Sequence, residues 1–154
     1  MTHNSRFAVS LHILAYLAFR GVAAVPSAEI ASSVSTNPVV IRRLLSALVK
    51  AGLVRTQKGA AGGFSLATAP RDISLLEVYR AVEPEPSHGL SHFAPNQKCP
   101  VGAKIQEVLT GVFAKAQAAM EAELDRVTLA DLEAKLHSVC TGARETREGL
   151  KTKD

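Results

Sequence analysis

Asn37, Pro38, Val39, Val40, Arg42 and Arg43 crowd into one short stretch. Their types suit the edges of base pairs. Arginine can bond guanine through two parallel hydrogen bonds, and a valine can meet a thymine methyl. A second group follows at Lys58-Gly59-Ala60-Ala61-Gly62-Gly63, one cation among three glycines. Such glycines permit positive φ and a close approach of backbone to another surface. Arg55 and Arg6 add cations suited to phosphate. A third group, His88, His92 and Cys99, reads His-x3-His-x6-Cys. Zinc or an iron–sulfur cluster accepts such ligands. The surrounding loop holds no fourth ligand of its own, and His12, in the first helical pattern, could reach the loop of a paired subunit. Cys99 precedes a helix start, where a thiol acidifies. It is a candidate redox or electrophile sensor, a candidate ligand, or a thiol with no chemical role. Cys140 reads as a buried or terminal thiol.

The elements around these residues follow from spacing. Phe7, Leu11, Ile13, Leu14, Tyr16 and Leu17 recur at intervals of three and four, which predicts a helix. Asn4 or Ser5 can cap it, and Gly21 ends it. Ser27 is an expected N-cap for a helix through about Val34. Ser35 to Asn37 make a turn. Asn37 before Pro38 is a start signal, a cap with proline at the first helical position. The helix it opens runs to Ala51 and closes at Gly52. Ile41, Leu44, Leu45 and Leu48 must face a core, which leaves Arg42, Arg43, Ser46 and Lys50 outside. Leu53 to Gln57 and Phe64 to Ala67 read as short strands. Ile73 to Val82 is another helix. Helix, turn, helix and glycine-tipped hairpin together form a device for reading double-stranded DNA.

Pro84, Pro86, Pro95 and Pro100 exclude a continuous helix through the next segment. Val101 to about Val127 is then a long helix. Ile105, Val108, Leu109, Val112, Phe113, Ala116, Met120, Leu124 and Val127 give it an apolar stripe that wants a partner helix. Thr128 can cap a last helix, Leu129 to Cys140, with Leu132 and Leu136 inward. The expected organisation is a DNA-binding domain at 1–83, a Pro-rich sensor loop at 84–100, dimerisation helices at 101–141 and a charged tail at 142–154. The fold class is mainly α with a small β-hairpin wing: a winged helix-turn-helix plus a long C-terminal dimerisation helix.

Charge agrees with that division. Up to Val82, nine lysines and arginines face Glu29, Asp72 and Glu77, whereas from Glu83 onward the balance is slightly acidic. A basic half joined to a near-neutral half suits a DNA-binding part joined to a pairing or regulatory part. No apolar run approaches the ~18 residues of a membrane helix. No cleaved leader is apparent, so a cytoplasmic protein without a membrane partner is expected. Two cysteines make neither a disulfide framework nor a structural zinc site. No Walker loop, Ser/His/Asp order or carboxylate pair stands out, so no enzyme and no catalytic residue is expected. Aromatic content of 5% leaves little for base stacking on single strands.

Ala51-Gly52-Leu53-Val54, Gly62-Gly63-Phe64-Ser65-Leu66, Cys99-Pro100-Val101-Gly102 and Val127-Thr128-Leu129-Ala130-Asp131-Leu132 are the telling segments. In order and spacing they resemble the Rrf2 family of bacterial winged-helix regulators, over roughly residues 3 to 140. The resemblance implies a homodimer paired through the long helix and bound to palindromic promoter DNA. It also implies that Lys58, standing where the family has a wing arginine, enters the minor groove. Family members often use an acidic and an amide residue where Arg42 and Arg43 stand, which implies a different operator. Some members carry an iron–sulfur cluster on three loop cysteines. Here only Cys99 matches, with Ser87 and Phe93 near the other two places. The chain therefore looks closer to the subgroup without the trio, and no cofactor or metal is expected.

The expected function is a sequence-specific DNA-binding transcriptional regulator, a homodimeric repressor answering a redox, metal or small-molecule signal. Asn37, Pro38, Val39, Val40, Arg42, Arg43, Arg55, Lys58 and Gly59 are its DNA-binding residues. Cys99, His12, His88 and His92 are its sensor candidates. One alternative is a cluster- or metal-binding sensor using those four. The other is a protein-interaction module that does not bind DNA.

Overall fold

The computed structural model describes residues 3–83 and 94–139. His88, His92 and Cys140 lie outside those residues. Helix α1 spans His3–Arg20, α2 spans Ser27–Val34 and α3 spans Pro38–Lys50. Strands β1, Val54–Gln57, and β2, Gly63–Leu66, follow; then come α4, Leu75–Val82, and α5, Ile105–Arg126. The backbone is helical again over 129–139. Among the described residues no helix is long and apolar enough to cross a membrane.

Each helix starts and stops for a local reason. Gly21 takes φ +68° and its amide bonds the Ala18 carbonyl at 3.0 Å, ending α1. Pro26 holds the cap position of α2, so Ser27 is its first residue rather than its cap. Ser35, at φ 57°, closes α2 in the left-handed conformation. A non-glycine residue there carries a strain of about 1 kcal/mol. Ser35→Gly is therefore expected to raise the unfolding midpoint by a few degrees in a thermal melt.

Asn37 caps α3 as its sequence promised: its side-chain oxygen accepts the Val39 amide at 2.8 Å, and Pro38 follows it. Gly52 lies past the end of α3 at φ +77°. Ser74 and Glu77 form a reciprocal capping box on α4, so that helix begins two residues later than the apolar pattern suggests. The α5 helix begins at Ile105, four residues after the expected Val101, because residues 101–104 form turns. Thr128 caps the terminal helix through Asp131.

The core lies between α1, α2, α3 and the hairpin. Ile13, Leu14 and Leu17 meet Ile30, Ile41, Leu45 and Leu48 there, all fully buried. The hairpin pairs antiparallel, with Val54 opposite Leu66 and Gln57 opposite Gly63. Val25 adds a third short rung, exchanging bonds of 2.8 and 2.9 Å with Phe64. Gly63 permits that approach, since a Cβ at 63 would stand 2.5 Å from the Val25 carbonyl.

The C-terminal part is stitched to this core twice. Gln117 of α5 bonds the Tyr79 hydroxyl of α4 at 3.3 Å, and Arg80 meets Glu121 at 2.6 Å. Beyond α5, the Leu75 amide bonds the Val127 carbonyl and the Leu129 amide bonds the Ile73 carbonyl, both at 2.9 Å. Leu129 is fully buried in the same core as Ile13 and Leu45. Leu136, expected inward, is 49% exposed; Leu132 is half-buried against the core.

Candidate nucleic-acid interface

The N-terminal half of α3 offers one outward face. Asn37, Pro38, Val39, Arg42, Arg43 and Ser46 are exposed, while Ile41, Leu44, Leu45 and Leu48 are buried beneath them. The period of the helix alone sorts these two sets. Asn37 uses its carbonyl oxygen on the cap, which leaves its amide nitrogen as the donor. Pro38 has no amide hydrogen, the Val39 amide bonds the Asn37 side chain, and the Val40 and Ile41 amides bond the Asn37 carbonyl at 3.0 and 3.3 Å, so the positive potential at this end comes from the helix dipole. Val39 is exposed and can meet a thymine methyl. Val40 is half-buried and packs against the core, so of the two valines Val39 is the exposed one.

The hairpin carries its cation at the tip. Lys58 and Gly59 are exposed, and Gly59 takes φ +104°. The turn is tight: the Gly62 amide bonds the Gly59 carbonyl at 3.0 Å. A Cβ at Gly62 would stand 2.5 Å from the Gln57 carbonyl. Two glycines thus shape the loop that presents Lys58. Arg55 stands on β1 and donates from Nε to the Ser65 hydroxyl at 3.0 Å. That bond ties the guanidinium to the hairpin through Nε and does not engage its terminal nitrogens.

Cys99 is exposed among the turns before α5. The backbone amides of Gly102, first, and Val101 bond its sulfur and hold its pKa below the ordinary thiol value. In a Cys140→Ser background, the rate of Cys99 alkylation by iodoacetamide should reach half-maximum below the ~8.5 of a free thiol. A lowered pKa keeps the thiolate populated as pH falls, so the rate profile moves toward acid relative to free cysteine.

His12 is exposed on α1, with Nε2 3.3 Å from the Ser33 hydroxyl of α2. Among the described residues no three His, Cys, Asp or Glu side chains gather as a metal set. Cys99 is the thiol those residues supply, and a cluster of the three-cysteine kind needs two more. The donors among the described residues do not make up such a set.

Sequence reasoning missed two supports of this surface. Val25 is a single-residue rung, too short to show a period. Leu129 lies far along the chain, where nothing in its local pattern says which body it joins.

The family model for Rrf2, described as an iron-dependent transcriptional regulator, matches residues 3–135. A Bacillus subtilis (strain 168) protein, "Putative HTH-type transcriptional regulator YwnA", is 47% identical over 129 residues, covering 84% of this chain and 95% of that one. Among solved structures, a "putative transcriptional regulator" from Lactobacillus plantarum matches with TM-score 0.75 at 31% identity. The match covers 94% of this chain and 97% of that one. IscR of T. potens matches with TM-score 0.64 at 27% identity, covering 85% of each chain. Its relatives are regulators, not enzymes. With α3, the hairpin and these likenesses together, the chain belongs to the Rrf2 family of winged helix-turn-helix, DNA-binding transcriptional regulators.

Proposed function

We propose that the protein is a cytoplasmic homodimeric repressor that reads a palindromic operator with two copies of α3. The observation that carries this reading is the outer side of α5. Val108 and Val112 are 60% and 54% exposed on a 22-residue helix with no fully buried residue. A helix about 33 Å long with an unsatisfied apolar side is built to meet its own copy. Pairing places two recognition helices on one duplex, a turn of DNA apart.

In each half-site Arg42 and Asn37 donate to base edges and Val39 meets a methyl. Arg43, Arg55 and Arg6 reach phosphate, and Lys58 enters the flanking minor groove. Bound across a promoter, the dimer excludes polymerase. Release follows when a signal near the start of α5 shifts the paired helices and their half-site spacing. The exposure of Cys99 and its thiol pKa, lowered by the amides of Gly102 and Val101, support reading it as the receiver of a redox or electrophilic signal. No iron–sulfur cluster takes part in this scheme.

The test is sedimentation of the purified protein beside binding to its own promoter fragment over a range of salt. A colourless, iron-free dimer whose log affinity falls steeply with log salt supports the reading. A monomer, or affinity indifferent to salt, overturns it and favours a protein-interaction module. Absorbance at 300–600 nm with stoichiometric iron favours a cluster-bearing sensor.

Arg42→Ala should weaken operator binding by about 1–3 kcal/mol and relax preference at one base pair of each half-site. Lys58→Ala should flatten the salt slope by about one and weaken binding most where the flanking minor groove is narrow, leaving base preference within the half-site unchanged. Fluorescence anisotropy on operator and scrambled duplexes separates the two.

A further inference from the structure

Behind the recognition helix lies a cavity of about 430 Å³, between the start of α1, the middle of α3 and the end of α4. Arg6, Val40, Arg43, Leu44, Ala47 and Val82 line it. Leu44 and Val82 are buried and form an apolar floor; Arg6 and Arg43 are exposed and stand at its rim. Neither guanidinium forms an ion pair among the described residues. Two cations over an apolar floor match one ligand chemistry. A carboxylate fits the fork of either arginine, and an aliphatic or aromatic body of about ten heavy atoms fills the space behind.

We propose that this cavity is an effector site for a small amphiphilic carboxylate, which binds across Arg6 and Arg43 and thereby competes with the operator. The coupling is direct. Arg43 projects from the helix that reads DNA, so a carboxylate held on it neutralises a cation the duplex needs. Val40 and Ala47 carry the same occupancy into the backbone of α3. Effector and operator therefore oppose one another, and by linkage each weakens the other equally. This regulatory role rests on the operator-binding reading above.

The probes are hexanoate and 3-phenylpropionate, with acetate as the anion lacking a body and hexanamide as the neutral analogue. Amide chemical shifts of the full-length protein are followed without DNA. Both probes should give saturable shifts at Val40, Ala47 and Val82, with acetate and hexanamide at least tenfold weaker. Arg6→Gln should remove the shifts. Ala47→Leu, which puts three more carbons into the cavity, should weaken them at least tenfold while the protein still binds its promoter fragment. At ten times its Kd a probe should lower operator affinity about tenfold or more. Absent shifts, equal binding of hexanamide, or shifts that survive Arg6→Gln overturn the site. Saturable binding with unchanged operator affinity overturns the competition. A failure of the DNA reading shows separately, as promoter binding absent with no probe present.

Discussion

Val108→Glu combined with Val112→Glu is expected to give a folded monomer whose affinity for a palindromic operator falls about 10²–10⁴-fold. Both valines are more than half exposed, so two glutamates there disturb neither α5 nor its contact with α4. In the paired protein the same carboxylates would face their own copies across an apolar seam. Burying such a charge without a partner is strongly unfavourable. The loss is large because the second half-site is bound at the effective concentration set by the first. Sedimentation velocity reports the monomer, circular dichroism reports the fold, and anisotropy reports the lost avidity. Single half-site duplexes should show almost no difference from the unmodified protein. A double variant that remains dimeric would move the pairing surface elsewhere.

Leu129→Ala is expected to destabilise the whole protein by about 2–5 kcal/mol. Leu129 is fully buried in the core that also holds Ile13 and Leu45, and its removal leaves a cavity that rigid neighbours fill poorly. The unfolding midpoint should fall by roughly 5–15 °C at this chain length. Val22→Ala, at a side chain 90% exposed, is the control and should stay within about 0.5 kcal/mol. One cooperative transition, shifted as a unit, is the expected melt. Two separated transitions would mean that Leu129 belongs to an independent C-terminal body.

Much of this architecture was legible because the chain marks its turns with residues of narrow use. Asn37-Pro38 gives the start of α3 to the residue, since one side chain caps and the next lacks the amide that would go unbonded. Ile41, Leu44, Leu45 and Leu48 are spaced so that only one helical face can hold them, and all four are buried. Two glycine-shaped turns bound the hairpin. Other features depend on distant contacts. Ser27 has the side chain of a cap, yet Pro26 precedes it with an extended backbone and takes the position. Val101 continues the apolar stripe of α5, but Pro100 before it and Gly102 after it favour turns, so the helix waits until Ile105. Of the candidate interface, side-chain type revealed the exposed donors. It did not reveal that Val40 leans into the core or that Arg43 shares a cavity with Arg6. Both depend on where α1 and α4 pack, which the local sequence of α3 does not encode.

The rung between residues 73–75 and 127–129 has a consequence for synthesis. A ribosome makes the chain from the N-terminus, and α1 through α4 are out long before residue 129 emerges. Until then Ile73 and its neighbours lack the leucine that covers them and the two amide bonds that pin them. The nascent reading head is therefore an unfinished body with an open apolar seat. It gains Leu129 only after α5, the helix we propose for pairing, has been made. The buried body that carries α3 is thus completed only once the chain past α5 has been made.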